Sequence, residues 1–271
     1  MPELPEVETL VQQLKRRLVG KRMSSVEVFD RKVVDVKIKK ILPTKILKVW
    51  RRAKFIIIEL EKRRFLLVHL RMTGHFHYLP KKQQSTPRIR ESEKFITARF
   101  YLSNGDLLTH NDIRRFGFIK LLDEMKIEAE LAKLGPEPLS KEFTKDKFKS
   151  LLNLRKKSNI KTILMDQHIL AGVGNIYAQE VLYRAKVNPS RKIGSIPPVK
   201  MERIYVQLRK VLNSAIKHHG TTVDDYVHIE GTGGFQKYLQ VYGRKKCPKK
   251  HALKKVNLGG RGTYYCPQCQ C

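Results

Sequence analysis

The apolar residues of this chain change period once, at Gly135-Pro136-Glu137-Pro138, and that switch makes it an α+β chain of two dissimilar parts. Upstream, residues 25–29, 46–50, 55–60, 65–69, 95–102 and 118–122 are short runs rich in β-branched and aromatic side chains. Polar turns such as Glu61-Lys62-Arg63-Arg64 and Ser103-Asn104-Gly105-Asp106 separate several of them, and residues 81–93 read as a polar loop. Short strands at this spacing predict an antiparallel sandwich or barrel. Downstream, apolar positions recur at helical spacing over 145–154, 160–167, 176–184 and 199–218. A Gly-Pro-x-Pro break between two such regimes reads as a domain boundary.

One helix precedes the strands. Over residues 5–18, Val7, Leu10, Val11, Leu14 and Leu18 form one apolar stripe, Pro5 suits the first helical position, and Glu6 and Glu8 suit the positive helix start. The helix holds Pro2 and Glu3 at its mouth. Removal of Met1 makes Pro2 the amino terminus, a secondary amine on a rigid ring with an α-amino pKa not far from neutral. Such an amine can attack a carbon bearing a leaving group and form an iminium, as a catalytic lysine does in a Schiff base, while Glu3 beside it moves a proton.

The partner for that chemistry follows from charge. Lys and Arg number 56 against 25 Asp and Glu, a net charge of +31, and the cations are spread along the chain instead of forming one arm. With 41% hydrophobic residues to pack a core, this is the pattern of a folded protein with a polyanion-binding face. A merely soluble basic surface accounts poorly for an excess above two to one. No apolar leader and no run long enough for a membrane span is visible, so a cytoplasmic, nucleoid-associated protein without membrane contact is expected.

All four cysteines lie within 247–271, which argues for a small metal site and against a disulfide framework. Cys247-Pro-Lys-Lys-His251 is followed, fourteen residues later, by Cys266-Pro-Gln-Cys269. Thiolates with one imidazole suit one structural Zn2+ held by Cys247, His251, Cys266 and Cys269. The first pair is one residue longer than a regular knuckle, Cys271 is an alternative ligand, and a metal-free hairpin is the competing reading. The turn Asn257-Leu-Gly-Gly-Arg261-Gly262 between the pairs would present Arg261 to a DNA backbone or groove.

Gly172-Val173-Gly174-Asn175 before a helix allows close backbone approach and offers helix-start amides to an anion, for which a phosphate is the natural guest. Lys157 and Lys161 lie one helix earlier. A glycine turn that only packs two helices fits equally well. His69-Leu-Arg-Met72-Thr-Gly74 and Asp112-Ile-Arg114-Arg115-Phe116-Gly117 pair bulky residues with arginine, as a protein needs to unstack and replace an extruded base. Taken singly, Met72 and Phe116 would more often be core residues.

With Met-Pro-Glu-Leu-Pro-Glu-Val-Glu-Thr at the start, Arg51-Arg52-Ala53-Lys54, Gly172-Val-Gly-Asn-Ile-Tyr177, Leu239-Gln-Val-Tyr-Gly243 and Gly260-Arg261-Gly262-Thr263, these motifs resemble the formamidopyrimidine-DNA glycosylases over the whole chain. The resemblance implies an amino-terminal helix with an antiparallel β-sandwich (1–130), a helical helix–two-turn–helix domain (131–240) and a zinc-finger hairpin (241–271). It implies a monomer acting on damaged double-stranded DNA, a DNA repair glycosylase for oxidised purines with lyase activity. It implies Pro2 as nucleophile, Glu3 as acid/base, Lys54 as proton donor and phosphate ligand, and Arg261 as phosphate holder. His69, Met72, Arg114, Phe116, Lys157, Lys161 and Asn175 would contact DNA, and 231–238 resembles the lesion-recognition loop. Leu4 favours the purine branch over the endonuclease VIII relatives, which prefer oxidised pyrimidines. Intact Pro2, Glu3 and Lys54 argue against a non-catalytic DNA-binding protein on the same scaffold. The family often has a His-Asp-His segment before the strand at Phe95, where this chain has Glu93-Lys94, so that contact is absent or replaced here, Lys94 being the candidate.

Overall fold

Helix α1 (Leu4–Leu18) forms where its apolar stripe requires, and Val7, Leu10, Val11, Leu14 and Leu18 are all buried. The computed structural model describes residues 2–83, 95–222, 229 and 231–270. They fall into two units: Met1–Pro2, Glu6–Ala132 and Thr221–Gly234 in the first, and Glu3–Pro5, Lys133–Gly220 and Phe235–Cys271 in the second.

In the first unit, β1 (Arg22–Val28), β2 (Thr44–Arg52), β3 (Phe55–Leu60), β4 (Arg64–His69), β5 (His75–Leu79), β6 (Ile96–Leu102), β7 (Leu107–Asn111) and β8 (Phe118–Asp123) form one ladder in the order β5-β7-β6-β1-β2-β3-β4-β8. Its strand pairs are antiparallel. β1 and β2 pair only at Arg22↔Lys45 and Met23↔Thr44, and there the ladder turns over into two layers. Met23, Phe76, Phe100 and Leu108 of one layer face Ile58, Leu66, Val68 and Ile119 of the other across a small apolar cavity. The stripe of α1 joins the same core, so the expected sandwich is the observed one.

Two strands, β5 and β7, are not legible as strands in the sequence. β5 alternates histidine with aromatics in His75-Phe76-His77-Tyr78, and β7 follows Leu107-Leu108-Thr109 with His110-Asn111, so neither shows the usual β-branched run. Helix α2 (Glu124–Ala132) is also unexpected; it lays Ile127 and Leu131 on Ile57, Phe65 and Leu67, covering the outer face of the second layer. This second cover is why β4 is apolar on both faces. Of the polar loop expected over 81–93, the described part is a single 3-10 turn, Lys81–Gln83; the rest, with Glu93 and Lys94, lies outside the described residues.

In the second unit, α3 (Lys145–Asn153) is capped by the Thr144 hydroxyl, which accepts from Lys147 N–H at 3.2 Å. Helices α4 (Ile160–Leu164) and α5 (Asn175–Arg184) flank two turns, and α6 (Pro198–Lys217) opens on proline. α4 stops three residues short of the expected 167 because Gln167 is used to build the turns. Its amide donates to Met165 O at 2.7 Å and Val173 O at 2.8 Å, and its oxygen accepts from Gly172 N–H at 2.9 Å. Residues Ile176 to Tyr183 of α5 are all buried, so this helix is the core of its unit. Strands β9 (Lys254–Leu258) and β10 (Arg261–Tyr265) close the hairpin through Gly259 and Gly260, whose φ values of 59° and 70° suit a tight primed turn. No helix among the described residues is long and apolar enough to cross a membrane.

Candidate active site and nucleic-acid interface

The start of α5 has no capping side chain of its own. Its amides are taken by Glu3: Oε2 accepts from Gly174 N–H at 2.7 Å and Tyr177 N–H at 3.4 Å, and Oε1 from Ile176 N–H at 2.8 Å. The carboxylate thus occupies the place of an anion at a helix start. The glycine loop does cradle an anion, as its pattern allows, but the anion that these amides hold is the chain's own Glu3 and not a phosphate. A Cβ on Gly174 would lie 2.4 Å from Glu3 Cδ, and one on Gly172, where φ is +99°, 2.7 Å from Leu4 Cδ1. Both glycines are therefore needed for the approach of residues 3 and 4, and Leu4 N–H donates to Gly172 O at 3.0 Å. Pro2, one peptide bond away, is buried.

Lys161, in α4, is fully buried, and its ammonium has no hydrogen-bond partner among the described residues. Burial brings its pKa down to about 8; the Glu3 carboxylate opposes that shift and the Arg261 guanidinium adds to it. Asn175 donates from Nδ2 to Gly262 O at 3.2 Å, and its Oδ1 is buried without a partner among the described residues. Gln179, a residue that sequence reasoning misses, anchors the hairpin to α5: its oxygen accepts from Tyr264 N–H at 2.6 Å and its amide donates to Gly262 O at 3.3 Å. Arg261 is exposed at the tip. Glu3, Lys161, Asn175 and Arg261 are thus gathered within the second unit, while Lys157 is exposed on the turn after α3.

Within the first unit, the Met72 loop and the Arg114–Phe116 loop are tied by one buried carboxylate. Asp112 Oδ1 accepts from the Thr73 hydroxyl at 2.5 Å, and its Oδ2 from Gly117 N–H at 2.7 Å. Arg114 N–H completes the knot, donating to Thr73 Oγ1 at 2.9 Å. Gly74 and Gly117 admit this crossing, because a Cβ would meet Leu70 O at 2.6 Å or His69 O at 2.9 Å. The outcome is an exposed Phe116 with the Arg114 guanidinium 5.0 Å from its ring centre, and a half-buried Met72. His69 is buried, and its Nδ1 accepts from Arg71 N–H at 3.0 Å. Burial, with the charges of Arg71 and Lys54, depresses its pKa to about 3, so the ring is neutral with its proton on Nε2. Lys54 is buried in the Ala53-Lys54 turn between β2 and β3, and Arg51 at the end of β2 pairs with Glu8 at 2.7 Å. Asp112 and Thr73 organise this region. The one available signal in the sequence is an acid ahead of two arginines in a basic chain.

At the tail, the ligand atoms of Cys247, His251, Cys266 and Cys269 all lie within 4.8 Å of one another. His251 Nδ1 is 3.6 Å from Cys266 Sγ and 3.4 Å from Cys269 Sγ. Tetrahedral zinc, with Zn–S of about 2.3 Å and Zn–N of about 2.0 Å, sets that separation at about 3.5 Å, so the set is suited to one zinc ion. The extra residue of the first knuckle is absorbed by Lys250 at φ 65°, with Lys250 N–H donating to Cys247 O at 2.8 Å. Cys271, the alternative ligand, lies outside the described residues.

Three family models match the chain: the formamidopyrimidine-DNA glycosylase N-terminal domain over 1–119, the formamidopyrimidine-DNA glycosylase H2TH domain over 134–227, and the zinc finger found in FPG and IleRS over 245–270. A formamidopyrimidine-DNA glycosylase of Pelotomaculum thermopropionicum is 41% identical over 100% of this chain and 99% of its own length. The chain belongs to the formamidopyrimidine-DNA glycosylase family. A family member from Carboxydothermus hydrogenoformans is 38% identical over 100% of both chains. The Lactococcus lactis Fpg in complex with abasic-site-containing DNA is similar at a TM-score of 0.90 and 32% identity, covering 99% of each chain. A variant of that Fpg with Fapy-dG-containing DNA scores 0.89 at 33% identity, again over 99% of each.

Two outcomes test the site. Lys161→Met should raise Tm at pH 7, because an ammonium buried without a partner is removed. The folded pKa of about 8 lies below the ordinary 10.5, so from about pH 8 to 10.5 the unfolded chain holds more protons and wild-type stability climbs with pH. The gap between variant and wild type should therefore narrow across that window in paired thermal melts; a gap independent of pH contradicts the buried ammonium. For the metal, elemental analysis of chelator-free protein should find about one zinc per chain, lost in Cys266→Ser. Less than about a tenth of an equivalent would mean a metal-free hairpin.

Proposed function

We propose that this protein is a DNA glycosylase and apurinic/apyrimidinic lyase that removes oxidised purines, such as 8-oxoguanine and formamidopyrimidines, from duplex DNA. The observation that carries the reading is Glu3, immobilised on the amides of α5 next to Pro2, in a chain whose relatives are named formamidopyrimidine-DNA glycosylase. The substrate side is supported by relatives of known structure that hold abasic-site and Fapy-dG DNA.

In this mechanism the Pro2 amine, freed by loss of Met1, attacks the deoxyribose C1′ as the damaged base departs. Glu3 takes the proton that the Pro2 nitrogen loses on bonding to C1′ and passes it to the ring oxygen, whose bond to C1′ breaks as the iminium forms. The resulting iminium acidifies the C2′ proton, and β- then δ-elimination releases the flanking phosphates. Lys54 donates a proton and binds phosphate in these steps. Arg261 holds the phosphate flanking the lesion, Asn175 and Lys161 add donor and charge beside it, and Lys157 binds phosphate from the exposed turn after α3. Neutral His69 offers its Nε2–H to a phosphate. Met72, Arg114 and Phe116 fill the space of the extruded base. The zinc ion, when bound, braces the hairpin that carries Arg261 and takes no part in the chemistry.

Borohydride should trap a covalent adduct with 8-oxoguanine:C duplex, and Pro2→Gly should nearly abolish it while duplex binding persists. Wild-type adduct yield in that variant would move the nucleophile elsewhere. Glu3→Gln should lose excision yet keep much of the cleavage of a preformed abasic site. Glutamine also turns an amide donor toward one of the α5 N–H groups, so some loss of stability accompanies the change. Equal loss of both activities would reassign Glu3 to a structural role alone.

A further inference from the structure

Phe29 follows β1 directly and is 55% exposed. A lone exposed apolar side chain is ordinary on a protein surface. The setting of this one is not. Phe29 and Asp30 N–H both donate to Thr97 O, at 2.9 and 3.1 Å. Asp30 Oδ1 accepts from Lys32 N–H at 2.9 Å, and Asp30 O accepts from Val34 N–H, also at 2.9 Å. Val34 in turn bridges to Ile119. The backbone is pinned on both sides of the ring and holds it outside the core.

The guanidinium of Arg99 lies 5.2 Å from the Phe29 ring centre. The next loop repeats the arrangement: Phe116 is 57% exposed, with Arg114 at 5.0 Å from its ring centre. The two loops are joined, because Arg115 Nε pairs with Asp30 Oδ2 at 3.4 Å. Two exposed phenyl rings, each faced by an arginine, therefore stand on loops that one ion pair joins.

We propose that Phe29, with Arg99, is a second base-stacking platform for DNA beside Phe116. The proposal rests on the DNA-repair reading above. Its occupant is a nucleobase and not an apolar protein partner, because Arg99 faces the ring and the charged residues of the two joined loops are mostly cations: Arg31, Lys32, Arg114 and Arg115 stand against Asp30 and Asp112. Arginine beside an aromatic ring suits a ligand that combines a π-face with phosphate. A wedge that parts base pairs exposes base faces next to itself, and a rigid second ring adjoining the wedge can cover one of them.

The test uses the full-length protein and fluorescence anisotropy on a labelled duplex carrying a tetrahydrofuran abasic analogue, at fixed salt. Stacking on a half-exposed ring sits at the low end of measured base–aromatic contacts, so Phe29→Ala should weaken binding about five- to tenfold. Phe29→Trp should bind within about twofold of wild type, and its added indole fluorescence should be quenched by the duplex. Phe29→Leu should behave like the alanine variant, since an apolar side chain without a π-face does not restore stacking. Far-UV circular dichroism and Tm establish that each variant is folded. Phe116→Ala is the control for the wedge. If Phe116→Ala weakens binding and Phe29→Ala does not, the second platform is overturned while the DNA reading stands. If wild type shows no preference for the abasic duplex over undamaged DNA, both fall. Unquenched fluorescence from the added indole of Phe29→Trp in a saturated complex also overturns the platform.

Discussion

A buried helix with no capping side chain of its own depends on a carboxylate from the amino-terminal end of the chain. Residues Ile176 to Tyr183 of α5 have no exposed face, so unsatisfied amides at the helix start would carry a full desolvation cost. Glu3 meets that need, and Gly172 and Gly174 exist in the form they do because residues 3 and 4 come so close. The same contact fixes the residue adjoining Pro2. Stability of the helical unit and orientation of the amino terminus are therefore one interaction, which is why the amino-terminal motif and the glycine loop belong together despite their separation in sequence.

Three other buried carboxylates repeat that use. Asp112 takes the amides of Arg114 and Gly117, Glu180 takes those of Gln240, Val241 and Tyr242, and Glu6 takes Thr221 N–H at 2.8 Å. All are buried. Carboxylates engaged by backbone amides leave the surface cations less compensated, and a net charge of +31 remains available to a polyanion. Loop order and phosphate affinity thus draw on the same composition. Lys161 is the extreme case, a buried ammonium without a partner among the described residues, held between Glu3 and Arg261 at a cost to folding that a bound anion would relieve.

What the sequence disclosed was what periodicity and spacing encode. The stripe of α1, six of the strands, the helical second unit and the Cys-His cluster are legible because each is a local pattern. The occupant of the glycine loop is not, because its anion comes from a residue 171 positions away, and no local signal links Gly174 to Glu3. β5 and β7 are hidden by histidine and asparagine at positions that in other strands are often β-branched. The knot of Thr73, Asp112 and Arg114 is invisible for the same reason as Glu3: its members are 39 and 41 residues apart and meet only when the strands pair. Lys250 makes the zinc knuckle look irregular until its left-handed backbone shows where the extra residue goes.

The α5 amides hold Glu3, and Gly174→Ala most directly tests the proposal that they hold it in working position. The added methyl would meet Glu3 Cδ at 2.4 Å, so the carboxylate must leave its amides or the helix start must shift. Single-turnover excision of 8-oxoguanine should then fall by about a hundredfold or more, the scale of loss for a misplaced catalytic group, while duplex affinity changes little. Excision at the wild-type rate, in a variant that binds DNA normally, would contradict the account.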